Sequence, residues 1–127
     1  PPGPAVVAGV PAGAAGTPEV LALRSGRRFV VVPQSSITYV TSAGGVVTAF
    51  TDAGRLWTAQ TLSEVERRLD ARRFLRIDQS HVINLTRVSE LVPWTHQRYR
   101  LVFGDPSRSE LVLSRDVGRR LRTALGW

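Results

Sequence analysis

Two histidines, His81 and His96, and no cysteine are what the chain offers toward nucleophilic or metal chemistry. Ser80 and His81 adjoin, and adjacent residues of an extended chain point to opposite faces, so they do not make a nucleophile and base. Two histidines without an acidic ligand cluster are a poor metal site. No Walker or Rossmann phosphate loop is present, and Gly44-Gly45 reads as an ordinary turn. The residues therefore predict no enzyme, no cofactor and no metal. The remaining chemistry is hydrogen bonding from polar groups on a stiff support. Its best candidate is Asp78-Gln79-Ser80, set within Phe74–Leu85, where apolar residues flank a polar centre.

Local preferences say how that centre is held. Val82, Ile83 and Leu85 suit a pleated strand, whereas Asp78 and Ser80 compete for backbone hydrogen bonds and favour a turn. A turn on a buried strand exposes its polar tip and keeps it rigid. Upstream, Val20–Leu23 and Arg28–Val32 read as a hairpin about Arg24–Arg27, which Pro33 ends because it lacks an amide donor. Ile37–Thr41 and Val46–Thr51 flank Ser42-Ala43-Gly44-Gly45, and Arg55–Ala59 follows the turn at Asp52–Gly54. Thr61-Leu62-Ser63-Glu64 fits a capping box, with Leu62, Val65 and Leu69 on the buried face of the helix it opens. Arg67, Arg68, Arg72 and Arg73 match the negative end of that helix's dipole.

Beyond the central stretch, Val88–Val92, Arg98–Phe103 and Glu110–Leu113 read as strands, with Pro93–Gln97 a loop. A last helix opens at Ser114, with Val117, Leu121 and Leu125 buried and Arg119, Arg120 and Arg122 facing out. Asn84 reads as a structural residue that pins the neighbouring loop. Trp57, Trp94 and Trp127 read as packing residues, without the alternation with basic residues that single-strand binding uses. Eight or nine short strands with frequent turn signals predict a mainly antiparallel β fold with two short helices.

Composition bounds the partners. The 127 residues suffice for one domain, residues 19–127, behind an uncharged Pro/Gly/Ala-rich linker over residues 1–18. The chain begins with Pro, so we read it as a piece of a longer protein whose linker follows another domain. No apolar run is long enough for a membrane span, and absent cysteine suits a cytoplasmic setting. All 17 basic residues are Arg and the net charge is +7, which favours an acidic partner such as nucleic acid.

Phe74, Arg76, Ser80, Asn84 and Leu85 match, in order and spacing, the signature of the LytTR family of bacterial DNA-binding domains, which this chain resembles from about Arg27 to Leu125. Asp78 stands where the family usually has His, and Gln79 where it has Arg or Asn. The resemblance implies an elongated stack of small antiparallel sheets with DNA across one edge. It implies sequence-specific binding of duplex DNA as the effector of a bacterial transcription regulator. Its sites would be short direct repeats, one domain or homodimer half on each, with a regulatory domain such as a phosphoacceptor receiver upstream.

Three contact regions follow from the resemblance. The first is the Ser42, Gly44 and Gly45 loop, which offers few side-chain donors. The second is the turn at Asp78, Gln79 and Ser80, where the Gln79 amide can pair with adenine. Asp78 can accept from cytosine or orient Arg76 or Gln79, and Arg76 is either a phosphate contact or a partner for Asp78. The third is Arg115, at the start of the last helix. A protein-interaction or ligand-sensing β domain, and a nonspecific nucleic-acid binder, are the alternatives.

Overall fold

A computed structural model describes residues 19–95 and 97–126, so the linker, His96 and Trp127 lie outside the described residues. Among the described residues, ten strands and two α-helices follow in the order β1 (Val20–Ser25), β2 (Arg28–Pro33), β3 (Ile37–Ala43), β4 (Val46–Thr51), β5 (Gly54–Thr58), α1 (Leu62–Arg68), β6 (Phe74–Arg76), β7 (His81–Asn84), β8 (Val88–Thr95), β9 (Arg98–Phe103), β10 (Glu110–Ser114) and α2 (Arg115–Ala124). Every strand pairing is antiparallel, in the order β2-β1-β5-β4-β3-β7-β6 in one sheet and β10-β9-β8 in the other. The larger sheet is a chain of hairpins more than a broad surface. The β1–β2 hairpin joins it through the single pair Arg24↔Trp57.

The turns explain the hairpins. Gly44 and Gly45 have φ of 60° and 80°, the left-handed pair that a tight two-residue hairpin turn requires. The predicted capping box is present: the Glu64 amide donates to the Thr61 hydroxyl at 3.1 Å, and the Thr61 amide to the Glu64 carboxylate at 2.8 Å. At the other end of α1, the Gln34 amide group donates to the Arg68 carbonyl and accepts from the Asp70 amide. β1 runs to Ser25, two residues past the expected stop, because Arg24 and Ser25 still pair with Phe29 and Arg28. β8 runs through Pro93 to Thr95, where a loop was expected. It is an edge strand, so the missing Pro93 donor breaks no interior ladder.

Two apolar clusters fill the molecule. One gathers Leu23, Ile37, Val40, Val65 and Val82 under α1. The other gathers Ile77, Ile83, Leu101, Phe103, Leu113 and Leu121 between the sheets and α2. Tyr39 bridges the sheets, stacked on Phe50 at 4.4 Å and on Phe103 at 5.6 Å. Asn84, fully buried, donates to the Ile37 carbonyl and accepts from the Thr86 amide, the structural role its position implied. Trp57 lies against the Arg24 guanidinium, but Trp94 is 54% exposed and is not a packing residue, because β8 carries it along the sheet's edge.

Arg87 and Asp52 clamp the approach to the second sheet through two hydrogen bonds of 2.7 and 2.8 Å. Those bonds hold the Asp52 carboxyl below its ordinary value of 3.8. Because the folded carboxyl binds its proton more weakly than the unfolded one, the pair stabilises fully above that ordinary value. The contribution is lost as pH falls through the lower, folded value. We expect the urea midpoint to decline through the acid range, and to decline less in Asp52→Asn. Equal slopes for both proteins would refute the linkage.

Candidate nucleic-acid interface

The turn predicted at Asp78–Ser80 lies between β6 and β7, whose pairs Phe74↔Asn84, Leu75↔Ile83 and Arg76↔Val82 hold it up. Ile77 beneath it is 2% exposed, while Asp78 and Gln79 are exposed. Four successive carbonyls are held from behind. That of Ile77 accepts from Arg120 Nη2 at 2.7 Å. Those of Asp78 and Gln79 accept from Arg76 Nε at 3.1 Å and Nη2 at 2.9 Å. That of Ser80 accepts from the Ser42 amide at 2.8 Å. Backbone acceptors turned toward the protein leave the Gln79 side chain at the tip.

Arg76 is half-buried and also donates to Ser63 Oγ at 2.8 Å and Glu66 Oε1 at 3.3 Å on α1. The Asp78 oxygen it meets is the main-chain carbonyl. The Asp78 carboxylate instead accepts from the Ser80 amide at 2.7 Å and lies 3.1 Å from His81 Nδ1. Burial pushes that carboxyl up, but the Ser80 amide and the His81 ring outweigh it and hold it below the usual range. A carboxylate that closes the turn in this way is an internal brace.

The β3–β4 hairpin stands beside this turn, because Thr41 pairs with His81. The Ser42 amide donates to the Ser80 carbonyl, and half-buried Ser42 lies close in the chain to exposed Gly44 and Gly45.

Arg115 is exposed on the first residue of α2, which Ser114 caps through the Val117 amide at 3.3 Å. Arg98, Arg115 and Arg119, with Gln97, Ser114 and Asp116, line an open depression at that helix end. Three guanidinium groups at the positive end of the helix dipole make it attractive to an anion. α2 sits close to β9: a Cβ on Gly118 would lie 2.3 Å from Tyr99 Cδ1.

Arg120 was expected to face out with Arg119 and Arg122. It is exposed as they are, yet its guanidinium reaches back across to the Ile77 carbonyl. Its neighbour's apolar spacing was the one local hint; the partner, far back in the chain, was not readable. Among the described residues no group of three potential ligands could hold a metal, and no helix is long and apolar enough to cross a membrane.

Residues 27–126 match the family model of the LytTr DNA-binding domain. The chain belongs to the LytTR family. This LytTR domain is thus a DNA-binding domain. It is 30% identical over 105 residues to the sensory transduction protein LytT of Bacillus subtilis strain 168, covering 83% of this chain and 43% of that protein. The same protein of Bacillus anthracis is 30% identical over 105 residues, covering 83% and 42%. The LytTR chain therefore spans less than half the length of these relatives. A solved LytTr DNA-binding domain of a response regulator from Bacillus cereus shares its fold at a TM-score of 0.76 with 20% identity, covering 87% of this chain and 99% of that one.

Proposed function

We propose that this LytTR domain reads a specific duplex sequence, as the cytoplasmic effector domain of a bacterial transcription regulator. Gln79 is the base reader at the tip of its turn, and Arg115 reads a base or grips a phosphate from the start of α2. Ser42, Gly44 and Gly45 line the neighbouring backbone. Ser80, Asp78 and Arg76 act from within, shaping the turn. The sites are short direct repeats, each held by one domain or one half of a homodimer, and a regulatory domain ahead of this one supplies the signal. The observation that carries this reading is the Asp78–Ser80 turn. Its carbonyls are anchored to the protein while Gln79 stands exposed.

Selection of bound duplexes from a random pool tests it. Specific reading should keep a gap of about 4–10 kcal/mol over random duplex. Gln79→Ala should lose about 1–3 kcal/mol on the selected site and relax preference at one base pair. Arg115→Ala should cost at least as much and, if a phosphate is held, flatten the salt dependence by about 0.9 log unit per log unit of salt. The cluster of Arg98, Arg115 and Arg119 favours a second reading, sequence-independent binding. A pool that yields no preferred sequence, with all duplexes weakening equally in salt, would establish that reading instead.

A further inference from the structure

The supports of the Ile77–Ser80 turn come from two bodies. Arg76 and Ser42 belong to the larger sheet that also carries the turn. Arg120 belongs to α2, 43 residues along the chain from Ile77 and packed with the second sheet. Ile77 is thus held twice by the last helix, its side chain in a cluster with Leu121 and its carbonyl by the Arg120 guanidinium. Apolar contact sets a distance but not a direction. A charge-assisted hydrogen bond of 2.7 Å sets both.

Arg115 stands on the same helix, five residues earlier. That is about 7.5 Å along the axis and about 140° around it. One guanidinium can therefore face outward from the helix start while the other reaches back to the turn. We propose that Arg120 is a positioning residue that locks the turn bearing Gln79 to the helix bearing Arg115, so that the two grip DNA as one unit. This rests on the reading above, in which both of those residues touch DNA.

The test measures binding of Arg120→Ala, Arg120→Gln and Arg120→Lys to the selected duplex and to its single-base-pair variants, over a range of salt. Arg120→Ala should lower discrimination at the base pair read by Gln79 about fivefold to tenfold, with the salt slope unchanged. Arg120→Lys, which keeps a charged donor, should recover part of it. The losses from Gln79→Ala and Arg115→Ala should be coupled in the native protein and become additive once Arg120 is removed. Amide hydrogen exchange at residues 77–80 should quicken in Arg120→Ala without any DNA present.

Three results would overturn the proposal. Uniform weakening of all sequences with a shallower salt slope would make Arg120 a phosphate contact. Unchanged discrimination would leave it no role in reading. Unchanged exchange would show that it does not hold the turn. If Gln79→Ala itself leaves discrimination intact, the base-reading assignment fails, and the exchange measurement still decides whether Arg120 positions the turn. Should the alanine variant melt well below the native protein, Arg120→Gln, which keeps the stem and removes the charge, gives the same readouts.

Discussion

Arg76→Ala should weaken binding to the selected duplex by about a hundredfold, near the top of the range expected for loss of Gln79 itself. The guanidinium makes four hydrogen bonds: to the Asp78 and Gln79 carbonyls, Ser63 Oγ and Glu66 Oε1. Hydrogen bonds to a charged group are worth about 1.5–3 kcal/mol each when buried; partial exposure lowers the combined value here to about 2–4 kcal/mol. Without them two carbonyls lose their donor, and Gln79 samples many directions before it meets a base. The cost of ordering that turn is then moved to the binding step, where about 2.8 kcal/mol is a factor of a hundred. Arg76→Lys should restore little, because a single ammonium cannot span two turn carbonyls and the α1 acceptors together. Anisotropy titrations on a duplex from the selected pool, with thermal melts as the folding control, give the answer. Near-native affinity in a folded Arg76→Ala protein would show that the turn holds its shape without this brace.

The second large effect lies away from the DNA. Gly118→Ala should destabilise the fold by about 2 kcal/mol, the overpacking cost outweighing the gain in helix propensity of roughly 1 kcal/mol. The new methyl would sit 2.3 Å from Tyr99 Cδ1 and 2.9 Å from Cγ, near the root of the ring, so a small swing does not clear it. Either Tyr99 leaves its place or α2 lifts from β9, and α2 carries both Arg115 and Arg120. The sign should reverse once the ring is gone. In a Tyr99→Ala background, Gly118→Ala should be neutral or stabilising. Calorimetry on the four proteins of that cycle decides it. A rise in melting temperature from Gly118→Ala alone would mean that the helix does not approach the sheet this closely.

What could be read in the sequence was mostly local. Gly44-Gly45, the Thr61 capping box and the turn at Asp78–Ser80 each declare themselves within a few residues. Each also has a short-range physical cause: left-handed φ, reciprocal capping and competition for backbone hydrogen bonds. The resemblance supplied the overall architecture and the three contact regions. The supports of the site were hidden because they join residues far apart in the chain. Arg120 meets Ile77 across 43 residues, and Arg87 meets Asp52 across 35. Nothing in the order of residues distinguishes Arg120 from Arg119 beside it, and both are exposed. Arg76 was readable as important but not as a brace on main-chain carbonyls, because its spacing suited a phosphate contact equally well.

The tie between α2 and the turn also orders events during synthesis. The ribosome finishes β6, the turn and β7 well before it makes α2, and until that helix docks the Ile77 carbonyl lacks its Arg120 donor. Contacts of such long sequence separation form late, after chain closure has been offset by packing elsewhere. On the positioning role proposed for Arg120, a nascent chain can hold a folded larger sheet and still be unable to discriminate among duplexes. Competence to recognise DNA would then be the last property this domain acquires as it folds.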